Sequence, residues 1–110
     1  MDLYPSDVRA ALARFPIASQ ERLGDQAKVI VKYFFPAGRY TFYVTEGDKE
    51  GSDIRLFGYC VSALGEDCDE WGYTMLSELQ NLRVRGLTME RDLHFPIATC
   101  TVADALARAA

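Results

Sequence analysis

The apolar positions of the chain fall into short periodic segments, and the densest lies between residues 28 and 46. Val29, Ile30, Val31, Tyr33, Phe34 and Phe35 form one run, and Tyr40, Phe42, Tyr43 and Val44 form a second. β-Branched and aromatic residues dominate both, the composition that suits a pleated, half-buried surface. Between the runs, Pro36 presets a turn φ and Gly38 accepts a positive one, so a short hairpin loop with a glycine bulge is expected. This hairpin is the expected nucleus of a sheet. In its second strand Tyr40, Phe42 and Val44 share one face and read as core. Thr41, Tyr43 and Thr45 share the other, an amphipathic set that suits either a contact surface or a plain solvated sheet face.

The remaining pattern supplies helices and further strands. Residues 6–15 predict a helix: Val8, Ala11, Leu12 and Phe15 make one stripe, Ser6 is placed to cap, Asp7 suits the positive end, and Pro16 stops the run. Residues 16–27 read as a connector, with one helical turn that Gly24 ends. Residues 46–53 read as an acidic loop by composition. Residues 54–64 predict a central strand, apolar on both alternating sets and therefore covered on both sides at least in part. A second acidic loop at 65–70 leads to a short strand at 71–73. Residues 74–82 predict a helix that Thr74 caps and that Arg83, Arg85 and Gly86 close. Residues 87–95 alternate as a strand, and 101–109 predict a last helix with Thr101 as cap and Asp104 at its third position. The sum is an α+β fold: one domain over residues 1–110, with an antiparallel sheet of four to five strands on a central hairpin, an N-terminal helix and two further helices.

Charge and cysteine usage narrow the function classes. The chain of 110 residues carries a net charge of −4, with 49% hydrophobic and 25% charged residues. That balance fits a globular domain and argues against a broad electrostatic grip on nucleic acid. The three cysteines, Cys60, Cys68 and Cys100, are odd in number and lack CxxC spacing, so reduced thiols are expected rather than a disulfide framework. Met1–Pro5 has no basic region followed by an apolar run, and no window is long and apolar enough for a membrane span. A cytoplasmic location is the expectation.

Candidate chemistry is sparse. Glu90, Asp92 and His94 would share one face of a strand, where two carboxylates and an imidazole suit a divalent metal or a general base. A polar sheet face gives the same alternation, and His94 is the single histidine. There is no GxSxG, no glycine-rich phosphate loop and no second histidine for a relay. The expectation is a protein that is not an enzyme and needs no cofactor or metal. The acidic loops hold Glu46, Asp48, Glu50, Asp53, Glu66, Asp67, Asp69 and Glu70, eight of the chain's sixteen acids. With Tyr43 and Trp71 as apolar anchors, they form a candidate partner surface.

The blocks KVIVKYFFPAGRYTFYVTEGD, RLFGYCVSAL, WGYTMLSELQNL and GLTMERDLHF, in this order and spacing, resemble an uncharacterised bacterial family named only as a domain of unknown function. The likeness covers about residues 15–106, leaving residues 1–14 as an added helix. Tyr40 and Phe42 stand where the family usually has tryptophan, and the two acidic loops are longer or more acidic. The resemblance implies an accessory protein of plasmids, conjugative elements or phage-like islands, and it carries no catalytic residue. Three functions follow as expectations. The first is inhibition or modulation of a host defence complex, of anti-CRISPR or anti-restriction type, through a host protein or protein–nucleic-acid partner. The second is a nucleic-acid-binding accessory of plasmid transfer or replication using Tyr43, Lys28, Lys32 and Arg39. The third is a small metal-dependent enzyme. A monomer or homodimer is expected.

Overall fold

A computed structural model of the chain describes residues 1–109. Its elements in order are α1 (Ser6–Leu12), β1 (Val31–Phe34), β2 (Thr41–Glu50), β3 (Asp53–Val61), β4 (Glu70–Met75), α2 (Leu76–Asn81), β5 (Arg83–Val84), β6 (Leu87–Thr88), β7 (Glu90–Arg91) and α3 (Val102–Ala109), with 3-10 turns at Glu21–Gln26 and Glu66–Cys68. The main sheet is antiparallel and runs β4-β3-β2-β1-β7. This is the α+β architecture that the apolar pattern predicts.

β1 and β2 form the expected hairpin, with Val31 opposite Val44 and Phe34 opposite Thr41. Phe35 N–H donates to the Tyr40 carbonyl at 2.9 Å, and Gly38 has a φ of +86° in the loop. The second strand extends well past its apolar run. Residues 46–50 continue β2 and pair with β3 down to Glu50 opposite Asp53, so the expected 46–53 loop shrinks to Gly51 and Ser52. Composition misleads here because the acids are used internally, as described below. A register shift between Val44 and Glu46 turns Thr45 and Glu46 inward together.

Helices pack on both faces of the sheet. On one face α1 contributes Val8, Ala11 and Leu12, and α2 contributes Leu76 and Leu79, against Tyr33, Phe42, Val44 and Leu56. On the other, Val102 and Ala105 of α3 pack against Val29 and Tyr43, with Tyr59, Val61, Trp71 and Phe95 at the margin. Tyr43 is therefore 2% exposed, which corrects its reading as a contact residue. Alternation places Tyr43 opposite Phe42 but does not say that α3 will cover that side.

Local chemistry explains the helix ends. α1 starts after Pro5, with no side-chain cap, so Ser6 is its first residue and not its N-cap. Two long-range contacts hold this segment. Tyr33 Oη donates to the Leu3 carbonyl, and Arg91 makes a bidentate pair with Asp7 at 3.0 and 2.8 Å. Thr74 lies within β4 rather than capping α2, whose Ser77 N–H instead donates to Asp53 Oδ1 at 3.2 Å. Arg85 and Gly86 do not close α2. Their φ values of +53° and +81° make the two-residue turn of the β5–β6 hairpin. The expected 87–95 strand is thus split, because its first residues pair with β5 and only Glu90 and Arg91 join the main sheet. At α3, Thr101 and Asp104 form the expected reciprocal cap: Asp104 N–H donates to Thr101 Oγ1 at 3.1 Å, and Thr101 N–H reaches Asp104 Oδ2 at 3.5 Å.

One glycine in this sheet is required by its neighbours. A Cβ on Gly58 would overlap the Tyr43 carbonyl oxygen and lie 2.7 Å from Phe42 Cε1, whereas a Cβ on Gly72 of the next strand meets nothing within 4 Å. Gly58→Ala is expected to cost at least about 3 kcal/mol, because the clash is with backbone that cannot move without breaking the ladder. Gly72→Ala is expected to be neutral or mildly stabilising. Urea midpoints of the two variants check this contrast.

Candidate partner-binding site

β3 and β4 place aromatic side chains on the same face at alternate positions: Phe57 and Tyr59 on β3, Trp71 and Tyr73 on β4. The register puts Phe57 opposite Tyr73 and Tyr59 opposite Trp71. Phe57 stacks on Trp71 with centroids 5.7 Å apart and planes at 17°, and Phe57 meets Tyr73 at 4.7 Å and Tyr59 meets Trp71 at 5.5 Å. The Arg55 guanidinium lies 4.0 Å from the Tyr73 ring centroid. α3 packs on this face over Val29 and Tyr43, with Tyr59 and Trp71 at the margin of that cluster. Tyr73 is 53% exposed, and Phe57, Tyr59 and Trp71 are half-buried.

β4 is also an edge strand. Natural edges are usually blunted by lysine, proline, inward charges or bulges. Glu70–Met75 carries none of these apart from Glu70 at its start. An unblunted edge with an aromatic face offers main-chain pairing and apolar area together.

The connector over residues 16–28 forms the wall beside the ladder, and buried polar groups hold it there. Gln20 Nε2 donates to the Lys28 and Thr45 carbonyls at 2.9 and 2.8 Å, and Gln20 Oε1 accepts from Lys28 N–H at 2.8 Å. Glu46 Oε1 accepts from Ala18 N–H and Oε2 from Gln20 N–H, both at 2.8 Å. Gln20 and Glu46 are only 5% and 2% exposed. Between connector and ladder lies a cavity of about 170 Å³ lined in part by Glu21, Gly24, Glu46, Phe57 and Trp71.

The structure disperses the acids that the sequence groups together. Glu46 is buried as described, and Asp48 accepts from Ile17 N–H at 3.0 Å, so both staple the connector. Asp53 accepts from Ile54 N–H at 2.7 Å and from the Ser77 hydroxyl, and these bonds hold its carboxyl below the usual range. Asp69 takes Arg39 in a bidentate pair at 2.7 and 2.6 Å as well as Ser62 N–H at 2.7 Å, and the Arg39 hydrogen bonds lower its carboxyl likewise. Glu50, Glu66, Asp67 and Glu70 are exposed. Trp71 alone of the named anchors reaches the open face.

The residues assigned to the alternatives do not assemble as expected. Lys32 pairs with Asp92 at 3.4 Å and Arg39 with Asp69, while Lys28 is exposed apart from them. Glu90 lies opposite Phe34 in the sheet, and the chain then turns, with His94 N–H donating to Asp92 Oδ1 at 3.0 Å. Among the described residues no group of three or more His, Cys, Asp and Glu side chains converges. Glu90, Asp92 and His94 therefore do not share a strand face, because the strand ends at Arg91. The cysteines are free, and burial pushes the Cys60 and Cys100 thiols up. No described helix is long and apolar enough to cross a membrane.

Sequence reasoning missed Phe57, Tyr59 and Tyr73 as site residues, along with the connector's contribution. The signal was present as two aromatics two apart in each of two consecutive strands.

Fold and site define a small α+β protein with a half-open aromatic sheet face and a free edge strand. The chain belongs to the family described as protein of unknown function (DUF2958), whose model matches residues 3–110 and so takes in α1. Comparison with curated proteins and with solved structures gives no match.

The lowered carboxyls set an expected acid response. A carboxyl held low in the folded state stabilises it above the ordinary carboxylate range, and that stability is lost as pH falls through the folded value. Asp53→Ala is expected to lower the urea midpoint at about pH 7, and the gap to wild type should narrow at about pH 2.5, as the pH falls toward the lowered folded-state value. Paired urea titrations at the two pH values measure it.

Proposed function

We propose that this is a non-enzymatic protein that acts by binding another protein through the aromatic face and free edge of β4. The observation that carries the reading is the Phe57, Tyr59, Trp71 and Tyr73 ladder left half-open on an unblunted edge strand. Aromatic clusters of this kind anchor interfaces because they bring large area at low entropic cost. Exposed Glu66, Asp67 and Glu70 flank the ladder's strand and favour a basic partner by steering its approach. Together with the family resemblance, this supports an accessory protein of a mobile element whose partner is a basic host protein or nucleoprotein of a defence system. The proposal departs from a purely acidic interface, since Glu46, Asp48, Asp53 and Asp69 already serve the fold.

Direct nucleic-acid binding is the weaker alternative. Bases stack on aromatic platforms too, but the backbone then needs cations along the groove. Here Arg55 is the cation on the ladder, and it lies over Tyr73.

Tagged protein recovered with its partner from host lysate tests the reading. Trp71→Ala with Tyr73→Ala should weaken partner binding by about thirtyfold or more, as loss of an interface anchor does. Glu66→Lys with Asp67→Lys should slow association a few-fold at low salt and much less at high salt. Wild-type protein that binds single-stranded DNA at physiological salt, with partner capture indifferent to Trp71 and Tyr73, would replace this proposal with the nucleic-acid one.

A further inference from the structure

The β5–β6 hairpin has two unlike faces. Val84 and Leu87 lie directly opposite each other and share one, where Val84 lines a groove with Phe35, Tyr40 and Leu82. Arg83 and Thr88 are the other opposed pair, and alternation turns them to the second face. There they line a cavity of about 200 Å³ with Gln80 of α2, beside Leu3 and Met89, each 2% exposed. Met1 completes the wall, no aspartate or glutamate lines the cavity, and nitrogen and oxygen atoms make up most of its exposed lining. A guanidinium, an amide and a hydroxyl thus meet at one place from three elements. None of them is engaged inside the protein. Among the described residues the side-chain hydrogen bond made by α2 and the hairpin is that of the Ser77 hydroxyl to Asp53, and the ion pairs are Lys32–Asp92, Arg39–Asp69 and Arg91–Asp7.

We propose that this cavity binds one phosphate group, either inorganic phosphate or the head of a small phosphate monoester. One fixed cation and two neutral donors, with no acid beside them, call for an anion rich in acceptor oxygens. A phosphate presents oxygens in tetrahedral directions, enough for the guanidinium fork, the amide and the hydroxyl together. A carboxylate has two oxygens in one plane, which the fork alone occupies. The volume of about 200 Å³ admits such a group and lies below the roughly 300 Å³ at which pockets for drug-sized ligands begin, so the remainder of an ester projects into solvent. The buried Leu3 and Met89 keep water from one side, which strengthens charge-assisted hydrogen bonds. A nucleic-acid strand is the poorer ligand, because its backbone needs cations in a row and the net charge of −4 opposes it.

Amide NMR titration of the whole chain at matched ionic strength tests this, with inorganic phosphate, glycerol 3-phosphate and acetate as probes. Saturable shifts are expected at the Gln80, Arg83 and Thr88 amides and at Arg83 Nε, at about tenfold or greater preference for phosphate over acetate. A response to inorganic phosphate alone assigns the free anion, and a stronger response to glycerol 3-phosphate assigns the ester. Arg83→Gln, at an exposed position, should weaken binding by about tenfold or more, and Arg83→Lys by less, since it keeps the charge and loses the fork. Arg85→Gln on the same hairpin should change it by less than about twofold, because matched salt screens a charge that does not touch the ligand. Trp71→Ala with Tyr73→Ala should leave phosphate binding unchanged, so the site stands or falls apart from the docking face. Shifts that never saturate, acetate binding as well as phosphate, or equal losses from Arg83→Gln and Arg85→Gln overturn the site. So does a phosphoserine peptide or single-stranded DNA that binds at Arg83 when neither small phosphate does.

Discussion

The half of the molecule that carries the site depends on the buried pair Gln20 and Glu46. Both residues come from unpromising places, a polar connector and the far end of a strand, yet together they bond Ala18, Gln20, Lys28 and Thr45 of the backbone. Leaving such groups buried without partners costs several times what a made hydrogen bond gains, so the connector is held in one place or released. The register shift at Thr45 is what turns Glu46 inward. Without it the side chain would alternate to the opposite face, and the wall beside Trp71 would be lost.

That constraint explains why the two faces of one sheet differ. On the α1 and α2 face, aliphatic side chains close over Tyr33, Phe42 and Leu56, and the Arg91–Asp7 pair and Tyr33 phenol tie down the N-terminal segment. Burial raises the Tyr33 phenol well above its ordinary value, so it stays a donor to Leu3 across the physiological range. On the α3 face the short helix covers Tyr43 and Val29, and the connector shares a cavity with Phe57 and Trp71. Tyr59 and Trp71 pack at the margin of the α3 cluster, and Tyr73 is left 53% exposed. A face with that composition on an edge strand is a liability unless a partner covers it.

Much of the fold was legible in the sequence because local rules and tertiary structure agree there. The Pro36–Gly38 turn, the β-branched runs around it and the Thr101–Asp104 cap each have a short-range cause that the fold preserves. Legibility failed where side chains serve distant backbone. Glu46, Asp48 and Asp53 look like a solvated loop, yet they bond the connector and α2 across 24 to 31 residues of chain. Tyr43 was a candidate contact residue because alternation assigns a face and says nothing about what covers it. Trp71 was identified as an anchor, but its partners Phe57, Tyr59 and Tyr73 were read only as strand residues, since their stacking depends on the β3–β4 register. The Glu90, Asp92 and His94 alternation dissolved because β7 is only two residues long.

The central claim is that partners dock on β4 and its aromatic face. Amide hydrogen exchange of the free protein and of its complex tests this most directly, because edge-strand amides exchange readily until they are paired or covered. The account predicts slowed exchange across Glu70–Met75, with a shift of the Trp71 indole resonance, when the partner binds. Unchanged exchange in β4, with protection confined to the β5–β6 hairpin or the 36–39 turn, would contradict it.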